Sequence, residues 1–549
     1  MVFKLPKLGA QGAFQMNTRI LMCGALAAFS CLSAMPNRAQ SDTISQELIE
    51  RTAQANFGEF FEMLSLPNDA INAEDIRKNA DWLEAAFRKR GFTTQQLPNN
   101  GKPLVFAEYG RKNPNVRTIL FYIHFDGMPV LPEQWSQKSP WTPVLKKRVA
   151  NSGATPPPTF TPSRVSVQPY WEEIDRNRLL TEKIDPEWRL FARSSSDDKG
   201  PIMMFLTAFD ALKAAGIEPA INVKLLLDSE EEKGSPTIGV IAKANRDLLK
   251  ADAIVIHDGP MHASNRPTIV FGNRGNTVVQ LAVYGPKSPL HSGHYGNYVP
   301  NPAQRLATLL ASMKDDDGRV TVAGYYDSVK LTESERSVMS AVPDDTAALL
   351  KRVGVAKPEA VGRNLQEALQ YPSLNIRGIE SAAIGDKGAN IIPNKAVAEL
   401  DLRTTPGASP SYLADLIEKH LIVKGYYLSK GEPTDEEREK YDKIASLTVR
   451  RGSDAAFTPL NSPVGAWVQD TLAKTFGSAG EPAKTVRIRM MGGSVPTDKL
   501  VGALDLPFVI VPLVNPDNNQ HSFDENLRIG HFFYGTSALV GLLRSPLAE

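Results

Sequence analysis

From residue 116 onward, apolar runs of strand length alternate with helix-length segments. That alternation makes the fold α/β, a mostly parallel sheet with helices on both faces. Runs at 116–123 (VRTILFYI), 223–227 (VKLLL), 253–256 (AIVI) and 508–514 (FVIVPLV) read as buried strands, and 201–215 as a strongly apolar helix. Acids or histidines follow each run: His124 and Asp126 the first, 228–232 (DSEEE) the second, Asp258 the third, and His521 the fourth after a short loop. In open parallel sheets ligands bind beyond the carboxyl ends of the strands, so four strand ends deliver metal-compatible groups to one edge. A fifth contribution, SSSDDKGP at 194–201, places Asp197 and Asp198 just ahead of the apolar helix.

Each of these features has an ordinary reading by itself. His-x-Asp suits a strand-end turn, DDKG a helix N-terminus where the dipole favours acids, and EEEK a solvated charge run. Together, in order and at element boundaries, they point to one shared site. Imidazoles and carboxylates without cysteine suit zinc, cobalt or manganese, and zinc is the commonest in a hydrolytic site of that composition. The only cysteines, Cys23 and Cys31, lie near the start of the chain, so thiol chemistry is excluded beyond it.

A second style begins near Asn276. The segments 277–284 (TVVQLAVY) and 396–403 (AVAELDLR) alternate in polarity like half-exposed strands, accompanied by helical segments at 302–314 and 411–420. The expected division is 1–39 signal peptide, 40–275 first part of a catalytic domain, 276–451 an inserted smaller α+β lid and dimerisation domain, and 452–549 the second part of the catalytic domain. Between 127 and 190 the chain turns rich in Pro, Ser and Trp, which predicts a surface excursion without regular core structure.

The order and wording of the motifs resemble the di-metal exopeptidases and amidohydrolases that include carnosine dipeptidase, aminoacylase, glutamate carboxypeptidase, acetylornithine deacetylase and succinyl-diaminopimelate desuccinylase. The resemblance covers roughly 45–545 and rests on HFDGMP, SSSDDKGP, DSEEEKGS, HDGP, LHSGHYG, GANIIPNKA, DLRTTPG, GGSVP and NQHS. It implies two divalent ions per subunit, one held by His124, Asp197 and Asp258, the other by Asp197, Glu232 and His521, with Asp197 bridging. Ions about 3.5–4 Å apart in such sites acidify a bridging water and polarise the scissile carbonyl. The resemblance further implies Glu231 as general base, Asp126 as the carboxylate that orients His124, and a cis peptide between Asp197 and Asp198. His291 resembles a lid histidine that reaches the partner subunit's site, so a homodimer through the inserted domain is expected. Arg403 resembles a residue that binds the substrate's terminal carboxylate; Ser494 adds a second contact and Asn390 lines the same cleft. The sequence departs from the family at Asp228, where a Glu is usual, and in the long interval between Asp126 and Asp197.

Charge narrows the partners. Lys plus Arg number 62 and Asp plus Glu 61, which leaves no basic footprint for nucleic acid. The apolar run at 20–34 follows Lys4, Lys7 and Arg19 and is short for a bilayer span, so residues 1–39 read as a secretory signal starting at Met1 or Met16. An uncleaved anchor is the alternative. A signal implies a secreted or periplasmic protein with no membrane contact after its removal. His257, His262, His294, His420 and His531 are expected to be ordinary histidines, His257 and His420 at the surface.

The expected function is a di-zinc dipeptidase or carboxypeptidase cleaving an amide of small peptides with a free C-terminal carboxylate. An N-acyl amino acid deacylase would use the same metal chemistry, and a non-catalytic peptide-binding relative would keep the fold alone. A di-metal phosphatase is disfavoured because neither a phosphate-cradling loop nor a dense arginine cluster is evident.

Overall fold

The computed structural model describes residues 44–110, 114–149, 171–450, 452–478, 480–493 and 495–548. The segment read as a signal, the Pro-rich stretch at 150–170 and Ser494 lie outside the described residues.

Eight strands form the larger sheet, in the order Phe92–Leu97, Leu104–Tyr109, Asn222–Asp228, Thr118–His124, Ala253–Ile256, Phe508–Ile510, Thr268–Val270 and Val486–Ile488. Its centre is parallel: Thr118–His124 pairs in that sense with Asn222–Asp228 on one side and Ala253–Ile256 on the other, and Ala253–Ile256 with Phe508–Ile510. Antiparallel pairs close the edge at Phe92–Leu97 and Leu104–Tyr109. The central strands are apolar on both faces because both faces are covered. Ile119, Phe121 and Ile123 pack into one core with the helices Gln46–Leu64, Lys199–Ala214 and Ile529–Arg544. Leu120 and Tyr122 enter a second core on the opposite face, with the helices Ile238–Ala244 and Thr497–Leu504. Burying each such side chain contributes about 1.5–3 kcal/mol.

The run at 508–514 pairs only over Phe508–Ile510, since Pro512 has no N–H to offer a ladder. The interval expected to lack regular structure contains a small sheet instead. Val144–Arg148, Trp171–Ile174 and Arg189–Phe191 join Asn526–Arg528 in four antiparallel strands. Phe191 and Leu190 are buried there, so apolar residues scattered between prolines were enough for pairing.

A separate five-stranded sheet is built from Ser373–Glu380, Lys395–Thr404, Gly275–Tyr284, Ile444–Val449 and Tyr427–Leu428, in that order. Lys395–Thr404 alternates strictly between buried and accessible positions. Its buried residues, with Val279, Leu281 and Val283, pack under the helices Pro302–Ala311 and Pro410–Val423. No helix among the described residues is long and apolar enough to cross a membrane.

Candidate active site

Parallel pairing of adjacent strands brings their C-terminal ends to one edge. His124 ends its strand opposite Asp228, the last residue of the neighbouring strand, and Asp258 lies just beyond the strand on the other side. Asp197 precedes the helix Lys199–Ala214, across a cis peptide to Asp198. His521 arrives from the loop after Phe508–Ile510, in the left-handed region at φ 58°.

These side chains converge. His124 Nε2 lies 2.9 Å from Asp197 Oδ1, and His521 Nε2 lies 3.2 Å from Asp197 Oδ2 and 3.3 Å from Glu232 Oε2. Two groups have potential ligand atoms within 4.8 Å of one another: His124, Asp197 and Asp258, and Asp197, Glu232 and His521. Asp197 is common to both. Glu231 shares a cavity of about 510 Å³ with Asp197, Asp258 and His521, and Arg403 and Asn276 line the same cavity from the five-stranded sheet.

Asp126 is fully buried and makes three connections. Its Oδ1 accepts the backbone N–H of Glu231 at 2.9 Å and its Oδ2 that of Glu232 at 3.1 Å. His124 Nδ1 sits 3.1 Å from the Asp126 carbonyl and 3.3 Å from Oδ1. Asp228 does structural work beside it, accepting the hydroxyls of Tyr122 and Ser235.

The electrostatics are those of acids crowded together and largely buried. Burial and then Asp258 push the Glu231 carboxyl well up, and burial with Asp197 pushes Glu232 up to about 8. Asp258 rises to about 6, mainly through burial. Asp197 differs: burial favours its neutral form, but His124 and His521 outweigh burial and hold it down. Its contact raises His521 to about 9, with Glu232 adding to the effect. Asp197 Oδ2 is buried without a hydrogen-bond partner, the nearby His521 nitrogen standing outside hydrogen-bond geometry. An orphaned carboxylate oxygen among acids and neutral-capable imidazoles fits a cation, because burying such charge is costly unless something positive meets it.

Other expected residues lie elsewhere. His291 is exposed on a short strand pair, its Nδ1 accepting the Gly293 N–H at 3.0 Å, and it does not line the cavity. Asn390 does not line the cavity beside Arg403 either. It is exposed, and its carbonyl accepts the Ser292 N–H, because the ladder Leu290–His291 with Ile391–Ile392 carries it alongside His291. His257 is buried rather than at the surface: Nδ1 meets the Val511 carbonyl at 2.9 Å, and burial lowers it to about 4. His420 is half-buried, with Nε2 2.8 Å from Ser312 Oγ. Glu525, to which sequence reading assigned nothing, is fully buried and gathers the N–H groups of Ser194, Ser196 and Asp197. Its only signal is proximity to His521 in a polar loop.

A parallel-sheet edge bearing two carboxylate and imidazole groups that share one aspartate, with a free glutamate in the same cavity, defines a metal-dependent hydrolase. The chain belongs to peptidase family M20/M25/M40, whose sequence pattern matches residues 167–545. It is 26% identical over 464 residues to Cys-Gly metallodipeptidase dug1 of Schizosaccharomyces pombe, with 82% of this chain and 85% of that protein covered. Beta-Ala-His dipeptidase of Mus musculus is 24% identical over 480 residues, 85% of this chain and 84% of that protein. Among solved structures, the M20 family metallo-carboxypeptidase Sso-CP2 from Sulfolobus solfataricus matches with a TM-score of 0.66 and 26% identity, over 89% of this chain and 98% of that one. Human carnosine dipeptidase 1 shares the fold with a TM-score of 0.61 and 20% identity, over 91% of this chain and 99% of that one.

The secreted or periplasmic location read from 1–39 does not stand. The likeness to yeast Cys-Gly metallodipeptidases lends it no support, and the segment that suggested export lies outside the described residues.

Proposed function

We propose that this chain is a di-zinc dipeptidase, hydrolysing the peptide bond of small peptides that carry a free C-terminal carboxylate. The observation that carries the reading is the sharing of Asp197 between two three-residue groups, with Glu231 in the same cavity. Relatives named as Cys-Gly and Beta-Ala-His dipeptidases support the substrate class.

His124, Asp197 and Asp258 would hold one ion and Asp197, Glu232 and His521 the other; an all-oxygen-and-imidazole set suits zinc, with cobalt or manganese as substitutes. Bound there, the ions supply Lewis acidity toward the scissile carbonyl and toward water. Glu231 takes the proton from the attacking water and hands it to the leaving amine. A desolvated carboxylate suits this task, since burial and the neighbouring Asp258 raise its proton affinity. Asp126 holds the His124 ring at Nδ1 and fixes the backbone of Glu231 and Glu232. Arg403 grips the terminal carboxylate, a planar fork suited to two oxygens, and Ser494 serves as a second contact. The cavity lining also includes Ile488, Met491 and Pro512, which suits an apolar substrate side chain.

His291 acts in the site of a second copy, and Asn390, expected in the cleft with Arg403, is carried beside His291 by the same short ladder. Supporting this are their exposure away from their own cavity and the edge strand Ser373–Glu380, which carries exposed Ile376 and Ile379. The insertion 276–451 is the lid and dimerisation domain between catalytic parts 40–275 and 452–549; its own sheet and core favour that division.

Assaying the purified zinc-loaded protein on free dipeptides beside N-acetyl amino acids tests the reading. Faster hydrolysis of dipeptides is expected. Preference for the acetylated set would make it a deacylase, and peptide binding without turnover a non-catalytic relative.

A further inference from the structure

Glu525 receives five donors on one buried carboxylate. Oε2 accepts from Arg193 Nη1 at 2.7 Å and Ser194 N at 2.9 Å; Oε1 accepts from Ser196 N at 3.0 Å, Ser196 Oγ at 3.0 Å and Asp197 N at 2.9 Å. Its own carbonyl accepts the Ala192 N–H, and Arg193 Nη2 donates to the Ser522 carbonyl at 3.1 Å. Burying a carboxylate is costly unless its acceptor sites are filled, and these are filled by one guanidinium, one hydroxyl and three successive-loop amides. The fold has therefore committed a buried charge to a loop of four residues, Ser194 to Asp197.

What that loop carries is the aspartate common to both ligand groups, and what lies four residues before Glu525 is His521, the second group's histidine. The two groups differ in support. His124 and Asp258 stand at the ends of central parallel strands, fixed by the sheet. His521 stands in a loop with its side chain 54% exposed, and Asp197 meets it only if the 194–197 loop and the 521–525 loop keep register. Glu525 joins these loops through its carboxylate, where the pairing of Asn526–Arg528 with Arg189–Phe191 and the Arg193 bond to Ser522 bring them together.

We propose that Glu525 is a positioning residue that sets the Asp197, Glu232 and His521 site in particular, leaving the His124, Asp197 and Asp258 site mainly to the sheet. The proposal rests on the reading of these residues as a binuclear centre. Partners behind metal ligands are commonly worth about 10- to 100-fold in affinity. Glu525→Gln keeps the shape but turns an amide NH₂ toward donors, so the tie between the 194–197 loop and the loop that carries His521 slackens, while Asp197 Oδ1 still meets His124 on the sheet.

Zinc titration of the metal-stripped full chain against a chelator, in wild type and Glu525→Gln, reads two binding steps and separates the sites. One step is expected to stay within about twofold of wild type while the other weakens about tenfold or more. Ser196→Ala, which removes a single hydroxyl donor and leaves the carboxylate in place, covers the case of a variant that does not fold; a smaller loss confined to the same step is expected. Both steps weakened alike would mark a general loosening and overturn the proposal, as would two unchanged steps. Wild-type protein taking up fewer than two ions would overturn the binuclear reading itself, and the proposal with it.

Discussion

Glu231 donates its backbone N–H to Asp126 Oδ1 at 2.9 Å, so the proposed proton carrier is aimed by the same carboxylate that lies against the His124 ring. Asp126→Ala should therefore damage both. Activity or metal affinity is expected to fall about 10- to 100-fold with the fold retained, as read by dipeptide turnover and circular dichroism. Unchanged turnover would remove Asp126 from the site.

Glu231→Gln separates holding the ions from using them. Its side chain belongs to neither ligand group, so the variant should keep the metal content of wild type while turnover falls about 10²- to 10⁴-fold. Metal analysis beside kcat checks both halves. Full activity would exclude Glu231 as the proton carrier.

Arg403 lines the cavity from the second sheet. Hydrogen bonds to charged groups are worth about 1.5–3 kcal/mol, so Arg403→Ala should raise KM for free dipeptides by roughly tenfold or more and leave C-terminally amidated ones unaffected. Equal effects on both would show that it does not read the carboxylate.

His291 is exposed outside its own cavity, which makes its service to a partner testable by mixing. His291→Ala and Glu231→Gln are each expected to be nearly inactive alone. Co-folded in equal amounts, they should regain roughly a quarter of wild-type activity, from the one intact site of each mixed dimer. No recovery would place the role of His291 within its own chain.

Metal-free protein should lose stability as pH rises. Glu232 has an ordinary value of 4.5 and a folded value of about 8, so folding takes up a proton and stability falls from the lower value to the higher. His521 is raised from 6.5 to about 9, and its contribution, complete below 6.5, is lost as pH climbs through 9. Both have the same sign. Melting of the stripped protein is expected to drop between pH 5 and pH 9 by this linkage, and zinc loading at pH 7 should release protons, read by calorimetry in buffers of different ionisation heat. A melting point that rises over this range would contradict the assignment.

The candidate ligand groups were legible because four members follow a hydrophobic run and Asp197 precedes an apolar helix, and apolar runs report parallel strands directly: Ala253–Ile256 matches its expected span, and Thr118–His124 and Asn222–Asp228 lie within two residues of theirs. The periodic strands Gly275–Tyr284 and Lys395–Thr404 were legible from their alternating polarity, which matches one buried and one accessible face. The four-stranded sheet was not, because its strands are short, one of its pairs joins residues more than 300 apart, and proline-rich composition masked the rest. Glu525 was invisible because three of its five donors are backbone amides, which have no sequence signature, and the other two, Arg193 and Ser196, lie more than 300 residues away in the chain. Asn390 stands beside His291 rather than in the cavity with Arg403, because a motif fixes neighbours in sequence while the Leu290–His291 and Ile391–Ile392 ladder decides where that segment lies.

The central claim is that two ions, sharing Asp197, are needed for peptide hydrolysis. Zinc titrated into the chelator-stripped protein while hydrolysis of an alanyl-leucine dipeptide is followed tests it most directly. Activity is expected to be absent without metal and to reach its plateau only at about two ions per chain. Full hydrolysis in the stripped protein, or a plateau at one ion with no further gain, would contradict it.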